Sequence, residues 1–250
     1  MELIPLGLQA ALWGLVAGGA LLLGASAGYF LRLPAVLASS IMAFGIGVLI
    51  SALAFDLMDE AFSLGGTGAA VTGFIGGAAL FAVANAVLAR AGARERKLSG
   101  RAPAASAAAS LAIAIGSLLD GIPESAAIGI SLLDGEGVAL VTLLAIVLSN
   151  IPEGLSSTIG MKRAGKSASY IFGIWIAITL ACSCAAFLGF AVIGSFGPFW
   201  IAAATAFAAG AIFVMLIDTM IPEAFNEIHA LSGPIAAVGF LLAFAATHLL

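Results

Sequence analysis

Eight apolar stretches, separated by short breaks, fill this chain almost from end to end. A membrane-spanning helix needs about 20 predominantly apolar residues, and a water-soluble fold could not hide so many such stretches. Composition agrees, since 62% of the 250 residues are hydrophobic and only 9% are charged, too few to coat a globule. The chain therefore reads as an all-α, polytopic membrane protein forming one transmembrane domain, with no separate soluble catalytic unit. Helices are expected at Pro5 to Leu31, Ala35 to Phe62, Gly68 to Arg90, Ser106 to Leu133, Val138 to Met161, Ser167 to Gly194, Phe199 to Asn226 and Gly233 to Leu250. The first is not read as a cleavable signal, because it lacks a basic leading segment and is long enough to span.

Basic residues near helix ends set orientation, since short cytoplasmic loops collect Lys and Arg. All nine fall in alternate connections. Arg32 lies in the first, Arg90, Arg94, Arg96, Lys97 and Arg101 in or beside the third, and Lys162, Arg163 and Lys166 in the fifth. The second, fourth and sixth connections have none, and the fourth carries Asp134 and Glu136. The odd connections are thus expected in the cytoplasm, with both termini outside.

An internal repeat shows when the second helix is laid on the seventh. Ala43-Phe44, Gly47 and Glu60-Ala61-Phe62 match Ala206-Phe207, Gly210 and Glu223-Ala224-Phe225 at one constant offset. Residues 69–74 then resemble 236–240. The chain divides into a first repeat over 1–93, two central helices over 104–161, and a second repeat over 167–250. By loop parity the repeats run in opposite directions, the inverted arrangement that transporters use for alternating access around a midplane site. The expected architecture is thus three helices, two helices, three helices.

Chemistry concentrates in the central pair. The fourth helix contains Ser117-Leu118-Leu119-Asp120-Gly121-Ile122-Pro123-Glu124-Ser125, and the fifth contains Ser149-Asn150-Ile151-Pro152-Glu153-Gly154. Residues three or four apart share a helix face, so Ser117, Asp120 and Glu124 form one polar stripe and Asn150, Glu153 and Ser157 another. Each proline also removes the partner of a carbonyl one turn back, that of Leu119 and that of Leu148. An acidic residue at the centre of a membrane helix costs about 2.5 to 3.5 kcal/mol, so Asp120, Glu124 and Glu153 together oppose insertion by roughly 8 to 10 kcal/mol. No Lys or Arg lies inside any expected span to neutralise them. Protonation, hydration or a bound cation must do so.

Other acids continue this path toward both membrane faces. Asp56, Asp59 and Glu60 lie in the last turns of the outward-running second helix. Asp218 and Glu223 lie in the last turns of the inward-running seventh, followed by Glu227 and His229. His229 and His248 read as interfacial, Met42, Met58, Met215 and Met220 as packing residues, and 90–105 as a connector. Cys182 and Cys184, two apart in an apolar run, point to different sides of one helix and make no disulfide framework.

These stretches resemble the ZIP family of metal-ion transporters, whose motifs are H-N-x-x-[D/E]-G in the fourth helix and H-[E/D/N]-x-x-E-G in the fifth. Gly116-Ser117-Leu118-Leu119-Asp120-Gly121 and Ser149-Asn150-Ile151-Pro152-Glu153-Gly154 stand at those motifs, and Pro222-Glu223-Ala224 is similar to the seventh-helix signature. The resemblance implies that Asp120, Asn150 and Glu153 bind metal, with Glu153 bridging two adjacent sites. Glu124 and Ser149 complete the candidate ligand set. Both motif histidines are replaced, by Gly116 and Ser149, the fourth-helix Asn is Ser117, and the sixth helix has no carboxylate. Every candidate ligand is then oxygen, which suits harder ions and should discriminate weakly against Mn(II) and Fe(II) relative to Zn(II).

The expected function is carriage of a divalent cation (Zn, Mn or Fe(II) as substrate, with no resident cofactor) into the cytoplasm across the plasma membrane. The expected partners are that cation and the lipid bilayer, with no nucleic acid, and a homodimer is left open. A proton- or sodium-coupled carrier of another cation is the alternative. An intramembrane carboxylate enzyme is disfavoured, because no core His or Lys supplies a second catalytic group. Loop parity makes a direct prediction: in intact cells an impermeant thiol reagent should label a cysteine at Gly135 and spare one at Ser99, and the reverse pattern would invert the topology.

Overall fold

The computed structural model describes residues 4–31, 34–90, 107–135 and 137–249, with side chains of the fourth helix described from residue 114 onward. Arg32, Glu136 and the basic residues Arg94, Arg96, Lys97 and Arg101 lie outside the described residues. Every long element within them is helical: α1 (Leu6–Phe30), α2 (Ala35–Ala52), α3 (Met58–Leu88), α4 (Ala107–Ile130), α5 (Leu140–Arg163), α6 (Ala168–Ala191), α7 (Pro198–Met215), α8 (Ile221–Ile228) and α9 (Ser232–Leu249). Among the described residues five helical runs are long and apolar enough to cross a membrane, Leu6–Phe30, Ala35–Leu88, Leu140–Arg163, Ala168–Ser195 and Pro198–Leu249. The chain is a polytopic, all-helical membrane protein.

Two of these runs, of 54 and 52 residues, are about twice the length that one crossing needs. Each is interrupted once. Within α3 the break is the single residue Gly66, at φ 68° and ψ −176°; the sequence predicted a longer break there, from 63 to 67. Between α8 and α9 the break is His229, at φ 43°, followed by one 3-10 turn over His229–Leu231. Each run also widens into one π-helical turn, Leu53–Leu57 between α2 and α3 and Leu216–Met220 between α7 and α8. Turn and break recur at one offset of 163 residues, from 53 to 216 and from 66 to 229. That offset is the one relating Gly47 to Gly210 and Glu60 to Glu223 in the sequence.

Within lipid, helices gain little by hiding apolar side chains from one another, so close packing over small residues takes over. A methyl group added at Gly47 would overlap the Ala236 carbonyl oxygen, and one at Gly210 that of Phe74. Gly239 and Gly77 return these contacts against Phe44 and Phe207. The result is α2 packed along α9 and α3 along α7. A second group forms around α1, whose Gly14 and Gly18 abut α6 and whose Gly24 and Gly28 abut α5, while α4 packs on α6. Leu23, Val83, Ile176, Leu180 and Leu241 stand on exposed faces, as expected of surfaces that meet lipid.

The groups meet where α2 packs along α5, with Gly45 facing the backbone of Leu148 and Ser149, and where α4 meets α7. An apolar cavity of about 580 Å³ separates Ile122, Pro123 and Ala126 of α4 from Gly73, Ala203 and Phe207. The break residues also differ in kind. A non-glycine residue at positive φ carries strain of order 1 to 3 kcal/mol, which Gly66 avoids and His229 does not. His229→Gly should therefore raise the thermal midpoint of the purified protein, by the equivalent of about 1 kcal/mol, and Gly66→Ala should lower it.

Candidate metal site

The α4 stripe is buried along its length: Ser117, Asp120, Glu124 and Ser125 are each 1% exposed. So is the α5 stripe, where Ser149, Asn150, Glu153, Ser156 and Ser157 are all 4% exposed or less. Glycine contacts seat α1 closely against both α5 and α6.

Polar side chains fix the relative positions of these helices. Asn150 Nδ2 donates to Ala17 O at 2.9 Å, tying α5 to α1. Trp175 Nε1 of α6 donates to Thr158 Oγ1 of α5 at 2.7 Å. Thr179 Oγ1 and Ser183 Oγ donate to Gly18 O and Ala11 O of α1. Trp175, remote from the stripes in sequence, thus stands five residues beyond Glu153 on the α5 surface. Ser149 Oγ donates to its own helix, at Ile146 O. By contrast Ser117 Oγ and Ser157 Oγ are buried with no hydrogen-bond partner.

The polar stripes of α4 and α5 are both buried, and α4 and α5 touch over a short stretch only, both packing against α1 while α4 leans on α6. Among the described residues, no three His, Cys, Asp or Glu side chains come close enough together to hold one metal ion. Asp120, Glu124 and Glu153 are therefore not a ready-made three-carboxylate cage in this arrangement.

The outer acids divide by their partners. Asp56, within the first π turn, accepts Thr142 Oγ1 of α5 at 2.8 Å and Thr247 Oγ1 of α9 at 3.1 Å. Asp218, within the second, accepts Asn85 Nδ2 at 3.1 Å. Each of the two long runs thus ties its π turn to the end of a helix in the other run. The Thr142 bond also joins the two helix groups. Glu60, Ser63 and Asp134 line a cavity of about 340 Å³, whereas Glu223, the repeat counterpart of Glu60, is 3% exposed. Asp59 is exposed, as are His229 and His248, and Met42, Met215 and Met220 are core residues.

Two features escaped the sequence expectations. Ile-Pro-Glu occurs three times, as Ile122-Pro123-Glu124, Ile151-Pro152-Glu153 and Ile221-Pro222-Glu223. Aligning α4 with α5 on this triplet pairs Glu124, rather than Asp120, with Glu153. Cys182 is the second: it is fully buried while Cys184 is exposed, and its Sγ lies 3.8 Å from Gly121 O of the α4 stripe. The α5–α1 tie gives a prediction. Asn150→Asp removes the donor to Ala17 O and sets a carboxylate against a carbonyl, so stability should fall by about 1 to 3 kcal/mol, read as a lower thermal midpoint in detergent.

No protein-family model matches the chain. Among curated proteins it is similar to one from Arabidopsis thaliana named "Putative zinc transporter", at 30% identity over 224 residues. The match covers 87% of this chain and 35% of that protein, so the chain spans about a third of the length of this relative.

Proposed function

We propose that this protein is a divalent-cation carrier of the ZIP type, with eight spans in the three-two-three arrangement and both termini outside the cytoplasm. On this reading each of the two long runs supplies two crossings, folded at Gly66 and at His229. The observation that carries the proposal is the burial of Asp120, Glu124, Glu153 and Glu223, each 4% exposed or less, in helices whose inner turns contain no Lys or Arg. Membrane acids of this kind mark ion pathways, because a transported cation balances their charge as it passes. The similarity to a protein named as a zinc transporter supports the same class of cargo.

In this proposal a metal enters from outside past Glu60 and Asp134, with Asp56 and Asp59 raising the local cation concentration. It binds among Asp120, Glu124, Ser149, Asn150 and Glu153, with Ser117 at the edge, and leaves past Glu223 and Asp218 into the cytoplasm from the plasma membrane. Carboxylate side chains are flexible enough to close around an ion as it arrives. Transfer across the midplane comes from one helix group, α1 with α4, α5 and α6, sliding against the other. The loose packing around Pro123 and the Thr142–Asp56 bond lie on the seam that would move.

Uptake into proteoliposomes tests this reading. Glu153→Gln keeps the shape and removes one charge, and should lower uptake of Zn, Mn, Fe(II), Co and Cd by about 10-fold or more at unchanged protein content. Asp120→Asn should act in the same direction, while Glu60→Gln should mainly raise the apparent KM. Full uptake by Glu153→Gln would overturn the metal-carrier assignment.

A further inference from the structure

Both tyrosines of the chain, Tyr29 and Tyr170, carry a lysine of one short connection over their rings. That connection joins α5 to α6. The chain reverses at Gly165, whose φ is 74°, while Lys166 N donates to Met161 O at 3.1 Å and Gly165 N to Lys162 O at 3.0 Å. These are the paired bonds that close a helix on a glycine, and they hold Lys162, Arg163 and Lys166 within one tight turn. Lys162 Nζ donates to Tyr29 O in the last turn of α1 at 2.6 Å and lies 4.6 Å from the centre of the Tyr29 ring. Lys166 Nζ lies 5.2 Å from that of Tyr170. A cation within about 6 Å of a ring centre is attracted to its face. Tyr29 in turn meets Phe30 and Phe172 edge to face, at 5.0 and 5.5 Å between centres, so the turn stands on an aromatic shelf shared by α1 and α6.

Tyrosine collects where the hydrocarbon of a bilayer gives way to headgroups. Lysines folded back over such rings keep their charge at headgroup depth instead of extending it into water. The adjoining sequence offers that charge no counterpart: no Asp or Glu occurs from residue 154 to 217, nor from 3 to 55, so α1, α6 and the final turns of α5 bring no acid to this end of the bundle. We propose that the turn is a docking surface for an anionic phospholipid, its phosphate held by Lys162, Arg163 and Lys166 and its acyl chains starting against Phe172 and Phe30, the latter 72% exposed. Phosphate oxygens then supply the negative charge that these helices lack. A zwitterionic lipid, which carries its own positive group beside the phosphate, gains far less. Each Lys or Arg near the surface favours anionic lipid by about 5-fold.

Phosphatidylglycerol is the probe, compared with phosphatidylcholine of the same acyl chains. Each is added to the purified full-length protein in detergent, and native mass spectrometry counts the lipid that stays bound. Phosphatidylglycerol should be retained in preference, and raised salt should erode the preference. Lys162 also ties α1 to α5, so Lys166 is the residue to change: Lys166→Gln should lower the preference by about 5-fold, and Lys166→Arg should keep it. Arg90→Gln removes one charge from a different connection and should leave it unchanged. Equal losses in Lys166→Gln and Arg90→Gln would reduce the effect to net charge and overturn the proposal, as would equal retention of the two lipids. A thermal midpoint raised as far by inorganic phosphate as by phosphatidylglycerol would mark a soluble-anion site and overturn lipid docking. None of these readouts involves a metal, so the carrier reading stands or falls separately.

Discussion

Backbone-to-backbone contact through glycine is the interaction on which the rest of this bundle depends. Lipid chains compete equally well for apolar side chains, so helices in a bilayer gain specificity by coming close enough for their backbones to touch. Gly24, Gly28 and Gly154 bring α1 and α5 together in this way, Gly14 and Gly18 join α1 to α6, and Gly129 joins α4 to α6. With α1 seated so closely, the polar stripes of α4 and α5 are closed off from water. Their acids then acquire chemical significance, because a carboxylate that water cannot reach must be balanced by something else.

The same contacts explain why the molecule separates into two groups. Helices tied by glycine and by side-chain bonds, such as Asn150 to Ala17 and Trp175 to Thr158, form one unit around α1. The pairs α2 with α9 and α3 with α7 form the other. Between them lie the packing of α2 along α5, a largely apolar cavity and the Thr142–Asp56 bond.

The two π turns add a local device to this plan. A π turn inserts an extra residue into a helix and frequently marks a functional position. Here both turns carry an acid, Asp56 and Asp218, and both acids reach the end of a helix in the other long run. The two runs are therefore interlocked rather than merely adjacent. Their counterparts Glu60 and Glu223 differ, one lining a cavity and the other buried, so the arrangement at the two ends is not the same.

Membrane embedding and the helical class were legible in the sequence, because apolar run length and the scarcity of charge have one physical solution in a bilayer. So was the correspondence of the second and seventh helices, since Gly47 and Gly210 fill the same packing need at one offset. Ser117, Asp120, Glu124, Asn150 and Glu153 could be grouped by helical spacing alone, and their burial follows from it once a neighbour is known. What spacing could not give was the neighbour. That α1 rather than α4 lies along α5, that Trp175 stands against the α5 stripe, and that Cys182 docks on Gly121 while Cys184 is exposed are facts of helix contact. A residue's periodicity fixes which face of its own helix it occupies, but the helix opposite is decided by which small residues let two backbones meet.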